Sequence, residues 1–316
     1  MNAIKRFGFF FAALVVVSSV FAQESRIVIA ADSSSGTYNK MLGEIIGVCS
    51  TDDFSIVPAQ GVTGGAPGNL DALVNNKAQA AFMHSDVFLA SSQADPSYKK
   101  FQTLVALYPE PIHVLALKVS NTSKLGTLSF GKQEFKTLAD TRGFNVGAAG
   151  GGVYTARLLQ GQGEGGFTVT PYASGDAVIK ALNSGEIAAA IFVGAAPLPN
   201  IEKLDKNTYK LMPIGESIAN KLKGVYRPAS VNYQGLTTGP LQTIAPMATL
   251  MTRKYSTEAR IAAQRHFRNC FYKQLGELKD TGSPNWQSVE ENDHGVLDWY
   301  EISAGSDAAP GNTKKK

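Results

Sequence analysis

The chain has 316 residues, 44% of them hydrophobic and 18% charged, with two cysteines and a formal net charge of +4. That length leaves room for two compact lobes with cores of their own. The charge is too small to point to nucleic acid or to an acidic surface as partner.

The N-terminus reads as a secretory signal. Lys5 and Arg6 form a basic start, Phe7 to Val17 is nearly all apolar, and Val20-Phe21-Ala22 fits a small-residue cleavage site. Gln23 then opens the mature chain. The apolar run is shorter than the ~20 residues that a membrane span needs. No cysteine follows the cleavage point, which argues against lipid attachment there. Loss of residues 1–22 removes Lys5 and Arg6, so the formal charge falls by two, from +4 to +2. The mature protein is expected to be soluble and exported.

Strands and helices then alternate, which predicts the α/β class. A strand is expected at Val28 to Ala31, a helix at Asn39 to Val48, and a strand at Phe54 to Pro58. The loop Gln60 to Gly68 precedes a helix that begins at Asn69 and carries Leu70, Leu73 and Val74. Ala80 to Met83, Val105 to Leu107 and His113 to Leu117 read as strands, the last two split by Tyr108-Pro109-Glu110-Pro111. Ser120 to Lys136 is polar and reads as a connector into a second lobe. Thr137 to Asp140 reads as a short helix, Phe144 starts a strand, Val153 to Gln160 is helical and Thr168 to Pro171 is a strand. Ser174 caps a helix that runs through Leu182, and Ala188 to Val193 is a buried strand. Leu211 to Ile214 is expected to return the chain to the first lobe. Ser217 to Leu222 is a short helix, Tyr226 to Thr238 is irregular, and Thr243 to Thr252 is a single strand. Thr257 to Leu278 reads as one long helix, Trp286 to Tyr300 as a terminal helix, and residues 302–316 as a tail.

Two stretches look like copies of one idea. Arg26 to Ala31 followed by Asp32 to Tyr38, and Phe144 to Ala149 followed by Gly150 to Tyr154, are each a short strand, a loop of small residues and a helix start. Such a turn aims backbone N–H groups and the positive end of a helix dipole at one point, which suits an anion. Each half also repeats a second block: Ala72-Leu73 leading to Ala80-Ala81-Phe82, and Ala181-Leu182 leading to Ala189-Ala190-Ile191-Phe192. Together they predict a cleft between two similar lobes.

The cleft residues follow from that pattern. Ser35, Gly36, Thr37 and Tyr38 are expected to hold an anionic group from one lobe, with Gln60 and Thr63 from the next loop. Gly152, Val153, Tyr154 and Thr155 are expected to close over it from the other, with Phe192 and Gly194 at a strand end. Ser85 and Asp86 are expected on the cleft floor. Asp86 has two readings, an acceptor for a ligand ammonium or a cap for the helix that starts near Val87. No nucleophile elbow or Walker loop is present, and His84-Ser85-Asp86 cannot form a triad because adjacent residues do not reach one another as a triad requires. The chain is read as a non-enzyme with no cofactor and no metal.

These residues resemble a family. Ser35-Gly36-Thr37-Tyr38, Phe82 to Asp86, Leu107-Tyr108-Pro109-Glu110-Pro111-Ile112-His113, the Gly150 loop, and Gly194 with Pro197 are similar to the TAXI family of TRAP-transporter solute receptors. The first loop is Ser-rich where that family is usually Gly-rich, and the second reads Gly-Gly-Gly-Val. The resemblance implies a monomeric, periplasmic, two-lobed binding protein of the type II kind. It implies delivery of a glutamate-like amino acid or a dicarboxylate to a TRAP-type membrane permease. A sensory receptor for a membrane signalling partner, or an exported enzyme on the same fold, are the alternatives. It also implies that both chain ends build lobe one, here residues 23–117 and 216–301, with 118–215 as lobe two. In that arrangement Cys49 and Cys270 become neighbours, and a disulfide between them is expected over two buried thiols.

Overall fold

A computed structural model describes residues 25–32, 36–120, 133–162 and 166–302. The signal segment, Ser35, most of the polar connector and the tail lie outside the described residues.

The first lobe opens with β1 (Ser25–Ala30), α1 (Thr37–Cys49), β2 (Phe54–Pro58), α2 (Gly65–Val74), β3 (Ala80–His84), α3 (Ser85–Ala94) and β4 (Phe101–Pro109). The second contains β5 (Ile112–Leu117), β6 (Asn145–Ala149), α4 (Gly152–Gln162), β7 (Thr168–Tyr172), α5 (Gly175–Ser184), β8 (Ala189–Val193), α6 (Pro199–Glu202) and β9 (Tyr209–Met212). Then come α7 (Glu216–Lys221), β10 (Arg227–Val231), β11 (Leu241–Ala245), β12 (Met247–Arg253), α8 (Glu258–Lys273) and α9 (Leu275–Thr281).

Two five-stranded sheets result, ordered β2-β1-β3-β12-β4 and β7-β6-β8-β5-β9. In each, three parallel strands are followed by antiparallel ones. The inner parallel strands β3 and β8 are buried, largely apolar runs because helices cover them; all five residues of β3 are buried. The two sequence blocks occupy equivalent places, α2–β3 in one sheet and α5–β8 in the other.

The lobe boundaries differ from those expected. β5 pairs with β8 and β9, so the crossover falls at Pro109–Pro111 rather than after residue 117. β9 stays in the second sheet and does not return the chain. Ile218, Leu222, Tyr226 and Ile244 pack in the core of the second lobe, so the return comes at Pro246 rather than at 216. The expected strand Thr243 to Thr252 is two strands in two lobes, because Pro246 has no N–H to continue a ladder. The crossovers run side by side. Glu110 N–H donates to the Pro246 carbonyl at 2.8 Å, and the Thr243 hydroxyl donates to the Ile112 carbonyl at 2.7 Å.

The C-terminal part also departs from expectation. The long helix breaks at Gln274 into α8 and α9. Past a 3-10 turn at Pro284–Ser288 the chain is not helical; Thr103 exchanges backbone hydrogen bonds with Asp298 and Tyr300 at the edge of β4. Gly295, at φ 73°, adopts a backbone that a helix does not tolerate. This segment and α8 close over the first lobe. Cys49, at the end of α1, is disulfide-bonded to Cys270 in α8, with 5.8 Å between their Cα atoms. Glu44 of α1 accepts from Trp286 Nε1 at 2.6 Å and from the Ser283 hydroxyl at 2.7 Å. No helix among the described residues is long and apolar enough to cross a membrane.

Candidate functional site

Strands β1, β2, β6 and β7 each lead into a helix, and the starts of α1, α2, α4 and α5 converge between the lobes. There a cavity of about 570 Å³ is lined by Gly36, Thr37, Tyr38, Gly65 and Ala66 of the first lobe and by Gly151, Gly152 and Gly175 of the second. Strand ends complete it: Ala31, Asp32, His84 and Glu110 on one side, Ala149 and Ile191 to Gly194 on the other, with Leu198 and Asn200 beyond. This is the carboxyl-end position at which open α/β sheets bind ligands. α1 and α2 are preceded by Gly36 and Gly64, which have no side chain with which to cap them, and both helix starts line the cavity. α5 is capped, with Ala177 N–H donating to the Ser174 hydroxyl at 3.2 Å.

Acidic groups share the cavity. Tyr38 donates its hydroxyl to Glu110 Oε2 at 2.6 Å and stacks on Phe82. Tyr108 donates to Glu110 Oε1 at 3.4 Å. Burial pushes the Glu110 carboxyl up from its ordinary range, although His84 and the two tyrosines pull the other way. Asp32 sits in a left-handed backbone position, φ 65°, and its buried Oδ1 has no hydrogen-bond partner among the described residues.

Behind the cavity lies a fully buried carboxylate, Asp86, in the first turn of α3. Its Oδ1 contacts His84 Nδ1. Its Oδ2 accepts from the Thr155 hydroxyl of α4 at 2.6 Å and from the Tyr226 hydroxyl at 2.8 Å, both in the other lobe. Burial acts to raise the Asp86 carboxyl, yet His84 and the two hydroxyls outweigh it and hold it below its ordinary value. A third side-chain link between lobes is the Arg227–Asp293 ion pair, with Nη2 to Oδ1 at 2.6 Å. Gly151 lies so close to the His84 ring that a Cβ there would stand 2.1 Å from Nε2. The lobes are therefore in contact behind and beside the cavity.

Of the residues expected at the cleft, Gly36, Thr37, Tyr38, Gly152, Phe192 and Gly194 come together on the cavity wall. Ser85, Asp86 and Thr155 do not reach it. Ser85 Oγ accepts from Met247 N–H at 3.0 Å, and the other two are spent on each other. Gln60 is exposed and donates to the Pro58 carbonyl, and Thr63 packs its carbonyl against Gly68 in α2. Val153 packs on the core of the second lobe, and Tyr154 leans on that of the first from the far side of α4. Sequence reasoning missed Asp32, His84, Glu110 and Asn200. The first three were visible as polar residues directly after buried strands; Asn200 had no such signal. No three His, Cys, Asp or Glu side chains among the described residues are grouped as a metal site needs.

A family model for the NMT1-like family matches residues 29–261, which spans both sheets. The chain belongs to the NMT1-like family. No curated protein matches the sequence. Among solved structures, this NMT1-like chain is similar to a periplasmic binding protein of an arginine transport system from Legionella pneumophila. Identity there is 13%, with 84% of this chain and 99% of that one covered, at a TM-score of 0.48. It is also similar to a TctC solute-binding protein from Polaromonas, at 14% identity, 87% and 90% coverage and a TM-score of 0.48. A third is an amino acid ABC transporter substrate-binding protein from Streptococcus pneumoniae bound to L-arginine, at 16% identity, 84% and 97% coverage and a TM-score of 0.44.

Proposed function

We propose that this protein is an exported solute-binding receptor. It captures a small organic anion or amino acid between its lobes and delivers it to a TRAP-type membrane permease. The observation that carries this reading is the interlobe cavity, where four helix starts meet two carboxylates. Helix starts favour an anionic group. Asp32 and Glu110 favour a cationic nitrogen on the same molecule, so the preferred ligand is a zwitterion such as an amino acid. Gly36, Thr37 and Tyr38 approach it from the first lobe and Gly152 from the second. Asp86 acts behind the site, as a tie between lobes, instead of meeting the ligand. Closure is favoured only by the ligand's differential affinity for the closed form, and a permease then distinguishes loaded from empty receptor.

A thermal-shift screen of amino and organic acids on the mature protein tests this. A true ligand at ~100 times its dissociation constant adds ~2.7 kcal/mol of stability. If no member of such a panel raises the melting temperature, the receptor reading is rejected.

A further inference from the structure

His84 touches the cavity, the buried carboxylate and the opposite lobe together. Its ring is buried, lines the cavity and packs on Gly151. Nδ1 is engaged by Asp86, while Nε2 makes no hydrogen bond within the described residues and is not among the buried unpartnered atoms, so it opens on the cavity.

That geometry sets the chemistry of the cavity-facing nitrogen. With Asp86 ionised, a neutral ring keeps its single proton on Nδ1, and Nε2 is left as a bare acceptor. A second proton turns Nε2 into a charged donor. An acceptor lone pair repels a carboxylate; an imidazolium N–H binds it. We propose that His84 is the anion contact of the cleft and binds the ligand's acidic group only when doubly protonated, so that ligand capture takes up a proton and ligand release is favoured as pH rises. This rests on the receptor reading above.

The surroundings favour the protonated form. Burial opposes it, but the charge and hydrogen bond of Asp86, with the charge of Glu110, outweigh burial and raise the imidazole above its ordinary value. The groups facing the ring from each packed element are Asp86 of α3, Glu110 of the crossover and the start of α4 at Gly151 and Gly152. Tyr38 of α1 lies behind Glu110, and Thr155 and Tyr226 lie behind Asp86. No lysine or arginine among the described residues lines this cavity. Its positive ligand contacts are therefore helix starts and His84, and of these only His84 carries a titratable group.

The test is calorimetric titration of the mature protein with L-glutamate, L-arginine, glutarate and 2-oxoglutarate between about pH 6.5 and 8.5, where the acids stay ionised. For any member that binds, affinity is expected to fall by up to about tenfold per pH unit above the free-receptor pKa of His84, with close to one proton taken up per ligand. His84→Gln keeps an N–H donor without titrating and is expected to bind with no pH slope. A flat profile in the wild type, or an unchanged slope in His84→Gln, overturns the proposal while leaving the receptor reading intact. Should the variant fail to fold, nuclear magnetic resonance titration of the His84 ring in the wild type decides: its pKa rises on ligand binding, and an equal value free and bound overturns the proposal. If no acid binds at all, the receptor reading falls and takes this proposal with it.

Discussion

Tyr226→Phe isolates one strand of the tie between lobes. The ring stays in the core of the second lobe, and only the hydroxyl that reaches Asp86 Oδ2 at 2.8 Å is lost. Asp86 keeps His84 and Thr155, so its charge is not abandoned. A hydrogen bond to a charged group is worth about 1.5–3 kcal/mol net. Because donor and acceptor sit in different lobes, opening of the cleft is expected to break the bond, so that its loss falls on the closing equilibrium. A receptor that must close to bind then loses affinity by the same factor, about 10- to 150-fold. Thr155→Val removes the second cross-lobe donor and is expected to act in the same direction. The assay is titration calorimetry with the strongest ligand from the thermal-shift screen, beside urea unfolding of the ligand-free protein. Affinity within about threefold of wild type would refute the reasoning, as would a loss of ligand-free stability equal to the loss of binding energy.

Gly151→Ala places a Cβ 2.1 Å from His84 Nε2, so the variant should close poorly and lose most ligand affinity while its ligand-free melting temperature barely changes; calorimetry and thermal unfolding check both. The Cys49–Cys270 bond spans a sequence separation of 221, and chain-entropy models put such a closure at about 5 kcal/mol at most. Cys49→Ser with Cys270→Ser should therefore lower stability in urea by a few kcal/mol, and thiol titration of the denatured, unreduced wild type should find no free thiol. His113 is buried beside Tyr233, and burial pushes its imidazole down to about 4 from the ordinary 6.5. The unfolded chain thus binds a proton that the fold refuses, so stability is full above about pH 6.5 and is lost as pH falls towards 4. Between pH 7.5 and 5 the wild type should lose about 2 kcal/mol more than His113→Gln in urea unfolding.

What the sequence determined by itself was local. Apolar runs with small-residue loops after them marked the strands and helix starts, because strand and helix periods and capping signals are written within a few residues. That was enough to see two copies of one unit and a cleft at Gly36 to Tyr38 and Gly152. Only the tertiary structure decided the rest, since strand partners and burial depend on residues far away in the chain. β5 joins the second sheet through β8 and β9, a pairing that its own apolar sequence does not specify. Proline at 246 could be read as a break, but not as the point where the chain changes lobe. Asp86 shows the difference most clearly. Its place after a buried strand suggested a ligand contact or a helix cap, yet its Oδ1 is taken by His84 and its Oδ2 by Thr155, 69 residues away, and Tyr226, 140 residues away. The same closure left His84, Asp32 and Glu110 to face the cavity. A buried carboxylate in a low-dielectric interior must find partners, and which ones it finds is set by how the lobes meet.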